Sequence, residues 1–278
     1  MTKSTNIKQL SLNYATVKEQ FTLEEAIRVC ADAGIPAIAP WRDALQACGV
    51  DRAARLIKEH DLSVSSLCRG GFFPYSNAKE RQASLDDNRR AIEEAAIIGA
   101  ECLVLVVGGL PGHSKDIAGA RTQVEEMIAE VLPDARAANM PLAIEPLHSM
   151  YAADRACVNT LGQANDICER LGKGVGVAID VYHVWWDPDL QAEIKRAGAA
   201  GTIFGFHLCD WLVPTRDLLV DRGMMGDGVI DLPLIRSWIE DAGYNSFYEV
   251  EIFSALDWWK KPGREVVDTV IERFMTVC

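Results

Sequence analysis

Four short apolar runs in the second half of the chain each end on a potential metal ligand: Met140 to Glu145 (MPLAIE), Val175 to Asp180 (VGVAID), Thr202 to His207 (TIFGFH) and Ser246 to Glu251 (SFYEVE). A core strand gains nothing by burying a charge, so four such endings need a shared reason. One divalent ion, held where the ends of four strands converge, supplies it.

The rest of the chain repeats the same grammar. Further apolar runs lie at Ile7 to Tyr14, Ile35 to Trp41, Leu62 to Cys68 and Glu101 to Gly108, which makes eight expected strands. Between them stand segments with helical spacing: Thr22 to Ala33, Ala44 to Glu59, Ala78 to Ile98, Lys115 to Ala138, Thr160 to Leu171, Asp189 to Ala197 and Asp231 to Ala242, with Gly263 to Met275 closing the chain. Thr22 before Glu25 and Ser84 before Asp87 read as box-like helix starts. Gly34, Gly99, Gly172 and Gly243 read as helix ends. Strands that are apolar throughout, not alternating, are buried on both faces, which implies a parallel sheet wrapped by helices. Eight strand and helix units in about 250 residues predict a (β/α)8 TIM barrel, an α/β fold forming one domain over residues 1–278. An open doubly wound sheet would also alternate strands and helices. It is disfavoured because no GxGxxG turn follows the first strand and the chemistry-bearing residues are spread over four strand ends.

Composition excludes several classes. With 278 residues, 49% hydrophobic and 24% charged, the chain can bury a full core. A formal charge of -12 argues against nucleic acid as a partner, since phosphate binding requires a basic face. No apolar run approaches the roughly 20 residues of a membrane helix, and the opening MTKSTNIKQL lacks a signal peptide's apolar stretch, so no membrane partner and a cytoplasmic location are expected. Eight cysteines without any CxxC suit reduced, structural thiols.

Each site residue has an ordinary alternative. Glu145 precedes Pro146, which cannot continue a central ladder, so it sits at a strand exit where an exposed carboxylate is also common. Asp180 opens a D-x-x-H spacing with His183 and could equally cap a helix. His207 could be a satisfied core histidine. Glu251 alternates with Glu249, placing both on one side of their strand, one to meet the ion and the other to support it or pair with a cation lower in the barrel. Taken together, three carboxylates and one imidazole form a hard, oxygen-rich set for one divalent metal ion. It favours Mn2+, with Mg2+, Co2+ and Zn2+ compatible. Cys209 shares a face with His207 but is not needed as a ligand.

These residues resemble the xylose isomerase-like TIM barrels of the sugar phosphate isomerase/epimerase type, which include ketose 3-epimerases and inosose dehydratases or isomerases. The resemblance spans the barrel, and its specific motifs are the Glu145 strand, Asp180 to His183, His207 and the Glu251 strand. It implies that Glu145, Asp180, His207 and Glu251 bind one metal and that Glu145 and Glu251 also act as catalytic acid and base on opposite sides of a sugar. His183 matches the family's substrate-contacting histidine. The family's arginine after the seventh strand has no counterpart at matching spacing. Of Arg216 and Arg222, the latter, in the loop RGMMGDG, is the expected substrate contact. Trp41 and Arg42, Arg69 to Phe73, and His113 in GGLPGH follow earlier strands and would lie on the same face. Trp41 and His113 are taken as substrate-binding. His148 could approach from beyond Glu145, and Trp185, Trp186, Trp211, Trp258 and Trp259 could stack on a sugar or form a homo-oligomer interface.

The chemistry explains the residue types. A proton beside a ketone is hard to remove unless the resulting enediolate is stabilised, and a metal with two flanking carboxylates provides both charge and proton carriers. The expected activity is therefore a metal-dependent isomerase or epimerase of a keto sugar, keto-polyol or derivative. A lyase or dehydratase acting on an inosose or 3-keto-glycoside through the same enediolate is the alternative. A DNA-repair endonuclease on this barrel would need further histidines where this chain has Trp41 and Val229. A barrel that only binds its ligand is the non-enzymatic alternative.

Overall fold

The computed structural model describes residues 6–278. Among the described residues there are eleven strands: β1 Leu10–Asn13, β2 Ala37–Ala39, β3 Ser63–Val64, β4 Leu67–Gly71, β5 Leu103–Val106, β6 Leu142–Ile144, β7 Val175–Asp180, β8 Ile203–Leu208, β9 Asp210–Trp211, β10 Arg222–Gly223 and β11 Tyr248–Val250. Nine of them form one parallel sheet in the order β3-β2-β1-β11-β8-β7-β6-β5-β4. β3 and β4 are two pieces of the third barrel strand. Parallel bridges from Trp41 to Cys68 and from Val64 to Ala100 join the two ends of the sheet, giving a TIM barrel with eight walls.

The eight expected strands are all found, with the third interrupted at Ser65 and Ser66. Both serines are buried, and both hydroxyls turn inward and donate to the carboxylate of Glu249. The expected helix over 44–59 is two helices, Arg42–Cys48 and Val50–Glu59, because Gly49 between them has φ 88°. Thr22 and Glu25 form the full capping box. Ser84 does not start a helix: the helix Ala78–Ile97 begins at Asn77, whose side chain accepts from the N–H groups of Lys79 and Glu80. Ser84 lies within it and donates its hydroxyl to the Phe72 carbonyl.

Strand residues facing outward, such as Leu103, Leu105, Leu142 and Ile144, join the helices in one large core. A smaller cluster of Cys68, Cys102, Val104, Ala143 and Ala178, with Phe204 and Trp41 packed against it, fills the interior beneath the strand ends. Small residues make room there. A Cβ on Gly176 would lie 2.3 Å from the Thr202 carbonyl oxygen and 2.5 Å from the Phe204 ring. All eight cysteines are free, as expected of structural thiols. Among the described residues no helix is long and apolar enough to cross a membrane.

Candidate metal centre and active site

Parallel pairing aligns the carboxyl ends of neighbouring strands, which places distant residues at one level. Asp180 pairs in register with His207 across β7 and β8, and Glu249 pairs with His207 across β11 and β8, which leaves Glu251 one alternation higher on the same face. Glu145 follows β6 directly. The result is that Glu145, Asp180, His207 and Glu251 are all buried and each offers a ligand atom within 4.8 Å of those of the others. The sequence expectation of a four-residue convergence therefore holds in the geometry.

Arg222 enters from β10 and meets three of its neighbours. Its Nη1 donates to Asp180 Oδ2 at 2.8 Å and Glu251 Oε2 at 3.0 Å, and its Nη2 lies 3.2 Å from His183 Nε2. The guanidinium sits 4.5 Å from the Tyr182 ring centroid and 4.9 Å from that of Phe253, so it is clamped between aromatic faces. Because arginine only donates, His183 Nε2 must accept, and the imidazole proton resides on Nδ1. Burial holds His183 down to about 3, in keeping with a neutral ring.

Four buried carboxylates, Glu145, Asp180, Glu249 and Glu251, thus face one guanidinium, that of Arg222, and two imidazoles, those of His183 and His207. Burial is the largest influence on the Asp180 carboxyl and works to raise it, but Arg222, His183, His207 and the Tyr182 backbone N–H together outweigh it and hold the group below the usual range. Glu251 goes the other way: burial pushes it up to about 8, against Arg222 and with the repulsion of Glu145. Burial disfavours the charged form of His207, yet Glu249, Glu145 and Glu251 together more than compensate and raise it.

A divalent cation fits this arrangement on two observations. Glu145 Oε1 and both His207 nitrogens are buried without a hydrogen-bond partner, although His207 Nδ1 and Glu145 Oε1 lie 3.1 Å apart. Unpartnered buried polar atoms are costly and call for a ligand. The donors are also three hard carboxylates and one imidazole, a set suited to Mn2+-class ions and tolerant of Zn2+. A second group, Cys68 with Glu249 and Glu251, is equally close. It is a poorer candidate because Glu249 already accepts from Asn13 at 2.6 Å, Ser65 at 2.8 Å and Ser66 at 2.9 Å.

The other sequence candidates separate clearly. His183 and Arg222 belong to the site. Half-buried Trp41 stands beside it, donating its indole N–H to Asn13 Oδ1 at 2.8 Å and packing edge-on against Phe253. His113 is exposed on the loop after β5, and among the described residues no hydrogen bond or ion pair ties it to the cluster. Arg42 is engaged by Asp87 and Glu94, and Arg216 by Asp221 and Asp257, so both are committed to structure. His148 stacks on Trp211 and meets Trp186 edge-on, while Trp211 also lies against Tyr182. Sequence reasoning missed Asn13, Ser65 and Ser66. Asn13 ends the apolar run of β1 as the ligands end theirs, and that was the available signal.

The model for the xylose isomerase-like TIM barrel matches residues 27–273. The chain belongs to this family. It is 23% identical over 283 residues to an inosose isomerase of Bacillus velezensis, covering 95% of each chain. Among solved structures, the protein SMc04130 of Sinorhizobium meliloti superposes with a TM-score of 0.97 at 61% identity, covering 98% of this chain and 99% of that one. The IolI protein with a bound zinc atom gives a TM-score of 0.83 at 21% identity over 97% of both chains. The 3-keto-D-glucoside 4-epimerase YcjR of Escherichia coli gives 0.78 at 18% identity over 98% of this chain and all of that one. The last two likenesses are of fold.

Proposed function

We propose that the protein is a divalent-metal-dependent isomerase or epimerase of a keto sugar, keto-polyol or close derivative. Convergence of Glu145, Asp180, His207 and Glu251 within 4.8 Å, with orphaned donor atoms among them, carries the reading. The inosose isomerase relative supports the substrate class. An ion held by those four residues, Mn2+ by preference, would supply Lewis-acid polarisation of a carbonyl.

The chain's own groups divide the remaining work. Glu145 and Glu251 exchange the proton of the carbon beside the carbonyl, one removing it and the other returning it on the opposite face. Arg222 Nε and His183 Nδ1, both buried without a partner, supply donors for substrate oxygens. Trp41 and His113 complete the substrate-binding set, Trp41 as an apolar wall beside Glu251 and His113 from the exposed rim. The mutually packed rings of Trp186, Trp211 and His148, with Trp211 against Tyr182, form an aromatic group next to His183 and Arg222.

Incubating metal-loaded protein in D2O with a panel of ketoses, inososes and 3-keto-glycosides tests the reading. Deuterium should enter one carbon of one substrate class while the mass otherwise stays constant. Loss of water or an aglycone would convert the reading to a lyase on the same intermediate, and absence of exchange with every class would remove the proton-transfer chemistry.

A further inference from the structure

Asn13, at the end of β1, is fully buried and has no spare hydrogen-bonding capacity. A carboxamide offers two donor hydrogens and two acceptor sites. Here Nδ2 donates to Glu249 Oε1 at 2.6 Å and to Glu251 Oε1 at 3.0 Å. Oδ1 accepts from Trp41 Nε1 at 2.8 Å and from the Ala15 backbone N–H at 2.9 Å. An indole and a backbone amide can only donate, so the amide has one consistent orientation. Ser65 and Ser66 anchor Glu249 behind it.

The two proton-transfer glutamates are consequently held very differently. Glu251 is tethered at both oxygens, Oε1 by Asn13 and Oε2 by Arg222. Glu145 lies 3.1 Å from His207, and its Oε1 has no hydrogen-bond partner. We propose that Asn13 is a positioning residue that fixes the Glu251 carboxylate for proton transfer and links it to Trp41. This rests on the proposed acid and base roles of Glu145 and Glu251. Asn13 touches no reacting atom and acts through Glu251.

The test is a double-mutant cycle on the metal-loaded protein with Asn13→Ala and Glu251→Gln. A misplacement near 1 Å costs on the order of 100-fold in rate, so Asn13→Ala should lower kcat about 10- to 100-fold with KM changed less than about threefold. In the Glu251→Gln background it should cost nothing further, because residues acting as a unit are not additive. A multiplicative loss in that background, or full kcat in the single variant, would overturn the proposal. Trp41→Phe provides an independent arm should Asn13→Ala fold poorly. It removes the indole donor together with part of the ring that faces Phe253, so a change in KM reports the lost wall while the kcat loss reports the link and should likewise vanish beside Glu251→Gln; an undiminished kcat loss there would count against the link. If Glu251→Gln alone turns over at the wild-type rate, the acid and base roles themselves fail, and the single variant shows this separately.

Discussion

Replacing Arg222 with methionine should expose how much the buried carboxylates depend on it. The residue is 3% exposed, and methionine retains most of the apolar stem between Tyr182 and Phe253. What is lost is the charge that meets Asp180 at 2.8 Å and Glu251 at 3.0 Å. Removing one partner of a buried ion pair costs about 3–5 kcal/mol because the other charge is left uncompensated. For a chain of 278 residues that is a melting shift of roughly 5–9 °C in metal-free buffer. A divalent ion would replace part of the missing charge, so saturating Mn2+ should narrow the gap. Binding at a hundredfold excess over Kd adds about 2.7 kcal/mol. The pH dependence has a definite sign. Asp180 is held below its unfolded value, so its contribution is present above the unfolded carboxyl pKa and is lost as pH falls through the folded one. In Arg222→Met this acid-labile contribution shrinks, so the stability gap to wild type should be widest near pH 7 and should narrow as pH falls towards 4. Urea titration in chelator and in Mn2+, repeated from pH 7 to pH 4, measures all three effects. A variant within about 1 kcal/mol of wild type in chelator would refute the view that Arg222 compensates these carboxylates.

Other variants probe separate parts of the account. Asp180→Asn removes an anionic oxygen that hard ions prefer, so calorimetry should show weaker Mn2+ binding with activity partly restored by excess metal; unchanged affinity would assign Asp180 another role. Glu145→Gln and Glu251→Gln should both retain some metal yet lose turnover by orders of magnitude. One of the two should still wash deuterium into recovered substrate with little product, and near wild-type turnover in both would sink the acid and base assignment. Gly176→Ala should destabilise by about 1–3 kcal/mol or more in thermal melts, since its Cβ meets the Thr202 carbonyl at 2.3 Å; a neutral effect would mean the barrel floor yields easily.

The barrel was legible because burial on both faces makes a parallel strand read as an unbroken apolar run, and every one of the eight runs lies on a wall. The four-residue cluster was legible for a related reason: a charge that ends such a run cannot be there for packing. Arg222 could be picked out only as one of two arginines in its loop, because loop conformation, not periodicity, carries it to Asp180. Ser65 and Ser66 were invisible since Ser beside a strand is an ordinary turn residue, and Asn13, although it ends β1, carries no charge to set it apart. Only the closed ring, which sets β11 beside β1 and brings the third strand across from them, turns them toward Glu249 and Glu251. The misread start at Ser84 shows the converse weakness, because a capping pattern inside a longer helix has no free N–H groups to satisfy.

Anomalous diffraction from crystals soaked in Mn2+ tests the central claim most directly. One strong peak per chain should lie about 2.0–2.4 Å from oxygens of Glu145, Asp180 and Glu251 and a nitrogen of His207. No ordered peak at saturating metal, or a peak held by Cys68, Glu249 and Glu251 in its place, would contradict the account.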